Sequence, residues 1–310
     1  MISFEKVSKF ILSEVSIHIP AGVTTGVIGV TGSGKTTLLK LACGLLQPER
    51  GSVYTLGREA TIPSGRQTKL LPKELGVLFA HLPLLQPEES VRSNFQSRGL
   101  IYRMPKERFW REYHRLSERL GFAEFQQEKV QTLSLGQRRR AELGAVLLHQ
   151  PKLLLLDEPT VGLDQNAKEA LRSLLEEREA DGLTTVITSH DMSDIAAVCG
   201  RIAVLNQGRL YAYGSRELLL KKYAPVDVMQ LTLRSGVPNL EDLPVKSYAA
   251  DNDKWMLIYD SNHITSAEIL RTILTTCSVQ EVSIHKPDLE DVLMRIEQEK
   301  TEVTEEQGKT

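Results

Sequence analysis

The eight residues Gly29-Val30-Thr31-Gly32-Ser33-Gly34-Lys35-Thr36 constrain this chain more than any other stretch. Glycine, four variable residues, glycine, lysine and threonine is the pattern of a loop that wraps phosphate groups. Each residue type has a chemical reason to be there. Gly29, Gly32 and Gly34 permit backbone angles that side chains resist, so amide N–H groups turn inward onto phosphate oxygens. Lys35 brings a mobile positive charge to the outer phosphates, and the Thr36 hydroxyl, with Thr37 behind it, suits a magnesium ion and the phosphates around it. Such a loop must join a strand to a helix. Gly26-Val27-Ile28 reads as a short buried strand, and Thr37-Leu38-Leu39-Lys40-Leu41-Ala42 as a helix whose N-terminus adds partial positive charge. A glycine-rich turn that carries a lysine by chance would need neither flank.

A second stretch supplies the acids. Lys152-Leu153-Leu154-Leu155-Leu156-Asp157-Glu158 is a continuous apolar run that ends in two carboxylates. A run without alternation suits a strand buried on both faces of a parallel sheet, and the C-terminal end of such a strand is where open α/β sheets hold ligands. Asp157 is then placed to hold Mg²⁺ with Thr36, and Glu158 to act as general base on an attacking water. A strand that merely ends in a solvated acidic turn is the plainer reading of these two residues alone.

Between the two stretches lies Leu133-Ser134-Leu135-Gly136-Gln137, followed by Arg138-Arg139-Arg140-Ala141-Glu142-Leu143. Ser134 is suited to cap a helix, and Gly136 permits close backbone approach to a phosphate. After Glu158 come Pro159-Thr160-Val161-Gly162-Leu163-Asp164, and a β-branched run, Thr184-Thr185-Val186-Ile187-Thr188-Ser189, leads into His190-Asp191. In this order and spacing the motifs over residues 1–222 resemble the ATP-binding cassette of ABC transporters, whose signature is Leu-Ser-Gly-Gly-Gln; Leu135 stands for its first glycine. Within that family, Leu-Ser-Leu-Gly-Gln-Arg-Arg-Arg-Ala-Glu-Leu and Asp-Glu-Pro-Thr-Val-Gly-Leu-Asp look most like the ABC-2 exporter type.

The resemblance implies an α/β fold: a P-loop NTPase cassette with a RecA-like core, an antiparallel β portion and a helical subdomain at about 88–150. It implies an ATPase that takes ATP and Mg²⁺. Two copies, identical or paralogous, would close head-to-tail, so that Ser134, Gly136 and Gln137 of one meet the γ-phosphate held by the other. Asp164 would lie in the loop linking the two sites, and His190 would sense the γ-phosphate. A separate transmembrane permease of the ABC-2 type would be the partner, placing the chain in the cytoplasm, peripheral to the inner face of the membrane, with export as the direction.

Besides Leu135, one position departs from the family pattern, and the adenine contact is open. The glutamine that contacts Mg²⁺ and water in most cassettes aligns with His81, in Leu75-Gly76-Val77-Leu78-Phe79-Ala80-His81-Leu82-Pro83. Neutral imidazole accepts a hydrogen bond or binds a metal and protonated imidazole does neither, so His81 predicts hydrolysis or coupling that is pH-sensitive near neutrality. A permissive substitution is the alternative, and Gln86 could serve instead if the loop were displaced. The aromatic that stacks on adenine corresponds to Phe10, which reads equally as an ordinary core residue.

Residues 88–130 carry Phe109, Tyr113, Leu116 and Leu120 at helical spacing, with Arg108, Arg111, Arg115 and Arg119 on other faces. Those arginines would face anionic headgroups or an acidic permease loop, or simply water. After Tyr223-Ala224-Pro225 the pattern changes. Strands over 228–233, 254–259 and 279–284 and helices over 266–276 and 288–298 predict a small C-terminal α+β appendage at 226–298, either regulatory or passive, with a disordered tail at 299–310.

Composition sets outer limits. The 310 residues suffice for two domains, and a net charge of −2 with 25% charged residues gives no basic stripe for nucleic acid. The three cysteines, Cys43, Cys199 and Cys277, are too far apart for a metal or redox motif. The first residues lack the apolar core of a signal peptide, and no apolar run approaches the roughly 20 residues that cross a bilayer. Two other functions fit the same fold: a soluble ABC ATPase acting on ribosomes or DNA, which would be expected to carry two cassettes or coiled-coil arms, and a hydrolysis-poor regulatory subunit, against which Glu158 and His190 argue.

Overall fold

A computed structural model of the chain describes residues 1–60, 73–224, 226–240, 243–251, 253–294 and 296. These fall into two compact units, Met1–Ser215 and Arg216–Thr310. The change of sequence character after Tyr223-Ala224-Pro225 puts the end of the first domain at 222; the compact units divide a few residues earlier, at the end of the last strand of the first unit, so that the helix after it falls in the second.

The first unit begins with β1 (Ile2–Lys9) and β2 (Leu12–Ile19), then β3 (Thr24–Ile28), α1 (Lys35–Ala42), β4 (Arg50–Thr55), β5 (Arg58–Glu59) and β6 (Leu75–Leu78). The helical part, α2 (Val91–Ile101), α3 (Lys106–Arg119) and α4 (Leu135–Leu147), precedes β7 (Leu153–Asp157). Then come α5 (Gln165–Ala180), β8 (Thr184–Thr188), α6 (Met192–Val198), β9 (Arg201–Asn206) and β10 (Arg209–Gly214). One sheet is antiparallel, in the order β2-β1-β4-β5; the other runs β10-β9-β3-β8-β7-β6 and is parallel from β9 to β6. Every residue of β3, β7 and β8 is buried, as strands covered on both faces require. Phe4, Val15 and Ile17 of the antiparallel sheet share one core with Leu38 and Leu41 of α1 and Leu153 and Leu155 of β7.

The helical part packs around Phe95, Tyr113 and Phe122; Phe95 meets Tyr113 edge-on at 5.2 Å between centroids. Phe109, Tyr113, Leu116 and Leu120 are all buried, as their spacing predicts. Of the arginines on the other faces of α3, Arg115 pairs with Glu112 and Glu177, and Arg119 with Glu177 and Ser173, surface contacts that fasten α3 to α5. Arg108 donates to Gln150 at 2.5 Å.

The second unit contains α7 (Arg216–Tyr223), β11 (Val226–Ser235), β12 (Val245–Asp251), β13 (Lys254–Asp260), α8 (Ser266–Thr276) and β14 (Ser278–His285). Its antiparallel sheet has the order β12-β13-β11-β14, and Ile269 and Ile273 of α8 pack on Met229, Leu231, Leu257 and Tyr259. Residues 289–294 are helical; the rest of the helix expected at 288–298 lies largely outside the described residues, as does the whole tail 299–310. Strand β12 has no counterpart in the sequence reading. In Val245-Lys246-Ser247-Tyr248-Ala249-Ala250-Asp251 only Val245 and Tyr248 favour a strand, and pairing with β13 at the sheet edge supplies what the sequence lacks.

Candidate functional site

The site grows from the ends of adjacent parallel strands. Beyond β3 the chain turns through Gly29, whose φ of 150° leaves no room for a side chain: a Cβ there would lie 2.0 Å from the Leu205 carbonyl oxygen. Gly34, at φ 106°, begins α1, and a Cβ on it would strike Leu12 of the β1–β2 hairpin at 2.5 Å. Between them Val30, Thr31 and Gly32 are exposed and Ser33 is buried. Lys35 Nζ donates back to the carbonyls of Gly29 at 2.7 Å and Val30 at 3.2 Å, folding the loop around its own ammonium. No side chain caps α1 and no acid sits in its first turn, so its leading amides, Thr37 among them, keep their positive end. Burial pulls the Lys35 pKa below its ordinary value, with Glu158 and Asp157 opposing that shift.

The carboxylates come from β7. Parallel pairing sets Asp157 opposite Thr188. Asp157 is 2% exposed, and its carboxylate accepts from Thr188 Oγ1 at 2.6 Å and from Thr36 Oγ1 at 3.0 and 3.1 Å. Thr36 of the loop and Asp157 of the strand are thus joined directly. A hydroxyl and a carboxylate side by side form a hard oxygen donor set, which fits Mg²⁺. The buried Ser33 hydroxyl has no hydrogen-bond partner among the described residues, a second sign that the loop is built around a polar guest.

Glu158 has φ 49°, a left-handed conformation uncommon for a residue with a side chain. Its amide donates to both the carbonyl and the hydroxyl oxygen of Thr188 at 3.1 Å. Its Oε2 lies 2.8 Å from His190 Nδ1 and accepts from the His190 amide at 3.3 Å. A carboxylate only accepts, so Nδ1 carries the hydrogen in this contact. Next to His190, Asp191 caps α6, and Lys168 of α5 bridges it to Asp194. The Ser193 hydroxyl and then Lys168 hold Asp191 down to a pKa of about 2.

Phe10 is not a core residue. It is 70% exposed at φ 52° on the β1–β2 hairpin tip, with Lys9 Nζ 4.7 Å above its ring. The next two residues, Ile11 and Leu12, rest against Gly34, and Ser13 N–H donates to the Gly208 carbonyl while Gly208 N–H donates to that of Ser33. The tip carrying an exposed ring is therefore tied to the phosphate loop.

Other expected residues lie elsewhere. Ser134 caps α4, accepting from the Gln137 amide at 3.2 Å while the Gln137 side chain accepts from the Ser134 amide at 2.9 Å. Ser134, Gly136 and Gln137 form no hydrogen bond with the phosphate loop of their own chain among the described residues. Asp164 caps α5, accepting from Ala167 at 2.8 Å. His81 stands exposed at a bend, in no cluster of potential metal-ligating side chains among the described residues. Gln86 does not replace it: its amide donates to Asn94 Oδ1 at 2.7 Å and its carbonyl accepts from Asn94 Nδ2 at 3.1 Å, so its backbone is pinned to α2.

Sequence reading missed Thr188, which joins Asp157 to Glu158, and Arg139, which is buried at 5% exposure beneath the end of β7. A threonine closing a β-branched run and an arginine in a run of three carry no signal on their own.

Fold and site together define a P-loop nucleotide hydrolase of the cassette type. The ABC transporter family pattern matches residues 12–161. Methionine import ATP-binding protein MetN of Clostridioides difficile (strain 630) is 34% identical over 70% of this chain and 69% of its own length. Linearmycin resistance ATP-binding protein LnrL of Bacillus subtilis (strain 168) is 25% identical over 93% of this chain and 94% of its own. An ATP-binding subunit of an ABC transporter superposes with a TM-score of 0.65 at 21% identity, over 72% of this chain and 92% of that one. A dimeric cassette in a post-hydrolysis state with ADP and Pi gives 0.61 at 25%, over 69% and 98%. The chain belongs to the ATP-binding cassettes of ABC transporters; it is an ATP-binding transporter subunit and an ATPase. No helix among the described residues is long and apolar enough to cross a membrane.

Proposed function

We propose that the chain works as a head-to-tail pair of cassettes that hydrolyses ATP to drive a separate ABC-2 type permease in the direction of export. The observation that carries the motor reading is the convergence of Lys35, Thr36, Asp157, Glu158 and His190 at the ends of adjacent strands. The loop amides and Lys35 bind the phosphates of ATP, and Phe10 offers its exposed ring to the base. Thr36 and Asp157 are the groups that would hold Mg²⁺, which when bound neutralises phosphate charge. Glu158 takes the proton of the attacking water. His190, in contact with Glu158, orients that carboxylate and meets the γ-phosphate from its exposed edge. Ser134, Gly136 and Gln137 serve the site of the partner copy, and Asp164 lies on the loop between the two sites. The C-terminal unit at 226–298 is an accessory to this cycle.

Export is favoured because the resistance protein matches through the C-terminal unit, whereas the importer match covers 70% of the chain. Resistance suits outward movement of a toxic compound.

The test is ATP turnover and ATP-dependent dimerisation of wild type and Glu158→Gln. Wild type should hydrolyse, and Glu158→Gln should lose about 10²-fold or more of turnover while retaining an ATP-bound dimer. Absence of both activities in wild type would overturn the motor reading. Direction is tested by deleting the gene and following accumulation of fluorescent amphiphiles; export predicts a rise for the transported class, and a fall would reverse the assignment.

A further inference from the structure

We propose that Arg139 is a positioning residue that locks the signature end of α4 to the backbone of Glu158 in the same chain, and so makes each ATP site depend on the other. This rests on the head-to-tail reading above. Arg139 lies five residues beyond Ser134, and its guanidinium reaches out of α4 to the end of β7. Nη2 donates to the carbonyls of Asp157 at 3.0 Å and Glu158 at 2.6 Å, and Nε donates to that of Pro159 at 3.3 Å. Nη1 donates to Glu142 Oε2 at 3.4 Å and reaches the Phe79 carbonyl of the β6 exit at 3.5 Å. One planar fork therefore gathers three successive carbonyls, which is possible only where the chain turns sharply. Glu158, at φ 49°, is that turn.

Those carbonyls fix the two peptides on either side of the Glu158 α-carbon, and the peptides set the direction in which its side chain leaves toward His190. A buried cation beneath neutral carbonyls and a single carboxylate is costly when any partner moves away. Glu142 in turn is shared with Arg138, whose Nε donates to Oε1 at 3.1 Å, so α4 cannot shift its first turns without disturbing both pairs. A second fastening lies on the other side of the helix start. A Cβ at Gly136 would be 2.6 Å from the Gly162 carbonyl oxygen, and the Leu135 side chain covers Gly162. The start of α4 and the segment from Asp157 to Gly162 therefore form one piece within each chain.

In a head-to-tail pair the two ends of that piece serve different ATP molecules: Ser134 and Gly136 serve the partner's nucleotide, and Glu158 serves its own. Occupancy sensed at the signature is carried by Arg139 to the carboxylate of the opposite site. The prediction is a split between kcat and KM together with a loss of cooperativity, neither of which a general loss of stability produces.

The experiment compares wild type, Arg139→Gln, Arg139→Lys and Arg172→Ala in the full chain. Turnover is read against ATP, and the ATP dependence of dimerisation is followed in the Glu158→Gln background. Arg139→Gln should lower kcat about tenfold or more with KM changed less than about threefold. In the trapped background its dimer curve should lose sigmoidal shape toward a Hill coefficient of one, at unchanged ATP binding by the separated chain. Arg139→Lys keeps a charge beside Glu142 but cannot span three carbonyls, so it should fold as wild type by circular dichroism and yet share the kinetic defect. It decides the matter if Arg139→Gln is unstable. Arg172→Ala, whose partner is the exposed Glu176, should match wild type. Wild-type kcat and cooperativity in a folded Arg139→Lys chain would overturn the proposal while leaving the motor intact. A wild type that neither hydrolyses nor dimerises would overturn both.

Discussion

At the C-terminal ends of β3, β7 and β8, polar side chains from three parts of the chain are bonded to one another, whereas the side chains of Ser134 and Gln137 at the start of α4 bond only to each other's backbone among the described residues. Thr36, Asp157, Thr188, Glu158 and His190 form a continuous chain of contacts. Ser134 and Gln137 satisfy each other in a capping box, and Leu135 beside them is 64% exposed. The first region is a connected polar cluster, and the second is a helix end whose two capping side chains are already satisfied. The contrast fits the proposed head-to-tail pair, in which the first region holds the chain's own nucleotide and the second meets that of the partner copy.

Mixing complementary variants strains that contrast hardest. Lys35→Ala should reduce turnover by about 10²-fold or more through loss of phosphate contacts, and Ser134→Arg should do the same by blocking the partner's site. Only the first should weaken ATP binding by the separated chain. In a head-to-tail pair the two lesions fall on the same site of a mixed dimer and leave its other site whole. Half of the dimers in an equimolar mixture are mixed with one intact site each, so turnover should recover to about a quarter of wild type if that site works alone, and to less than that as far as Arg139 couples it to the dead site. Binding decides the geometry: in the Glu158→Gln background the mixture should regain an ATP-bound dimer that neither variant forms alone, and its absence would count against the head-to-tail pair.

A smaller effect probes the pre-formed half alone. Thr188→Val removes the hydroxyl that donates to Asp157 and accepts from the Glu158 amide. Buried Asp157 loses one donor while keeping Thr36, and the half-buried Glu158 amide keeps the Thr188 carbonyl, for a cost of about 1 to 2 kcal/mol in unfolding free energy from denaturant titration. Turnover should fall with it, because Asp157 is then free to move away from Thr36. Full activity would mean that the contact chain is structural only.

The other end of α4 responds to pH. His149 stacks on Tyr102 with ring centroids 3.8 Å apart, and its Nε2 lies 3.2 Å from the Leu75 carbonyl of β6. Burial is the main cause that lowers its pKa to about 4 from 6.5, with the Leu75 contact acting the other way and Arg98 and Arg108 adding to the fall. Between those values the unfolded chain binds a proton that the folded chain refuses, so stability falls as pH drops from 6.5 toward 4. From pH 7.5 to 5 this group alone should remove about 2 kcal/mol, read as the difference between wild type and His149→Gln in urea titrations at both pH values. Equal pH dependence in the two proteins would place the burial of this joint in doubt.

The phosphate-loop half was legible because its geometry is local. Glycines at fixed offsets, a lysine and a strand ending in two acids lie in contiguous runs, and the parallel register that brings Asp157 to Thr188 follows once both strands are recognised. The tie between α4 and Glu158 was not legible. Arg139 acts through backbone carbonyls 18 to 20 residues away, and carbonyls have no residue-type signature. Phe10 could be settled only by its exposure, since a hairpin tip and a core strand both accept phenylalanine. The pairing of Arg115 and Arg119 with α5 was hidden for the same reason, because helical spacing shows which face is polar and not what lies against it. Strand β12 depended on a neighbour that the residues of the strand do not announce.

The smallest prediction moves outside the cassette. In the second unit Thr265 caps α8, its hydroxyl accepting from the Glu268 amide at 3.3 Å while the Glu268 carboxylate accepts from the Thr265 amide at 2.8 Å. The motif is the one that starts α4 at Ser134 and Gln137, so the two caps allow a direct comparison. Thr265→Ala should cost about 1 kcal/mol in denaturant titration, as an N-cap loss does elsewhere. It should leave ATP turnover unchanged, because the polar groups around it are used within the unit. Ser134→Ala should cost a similar amount of stability and, on the head-to-tail reading that sets its hydroxyl against the partner's nucleotide, also reduce turnover. If Thr265→Ala lowered turnover as much as Ser134→Ala, the second unit would have to be counted as part of the motor. If neither changed it, the capping box of α4 would be a helix start and nothing more.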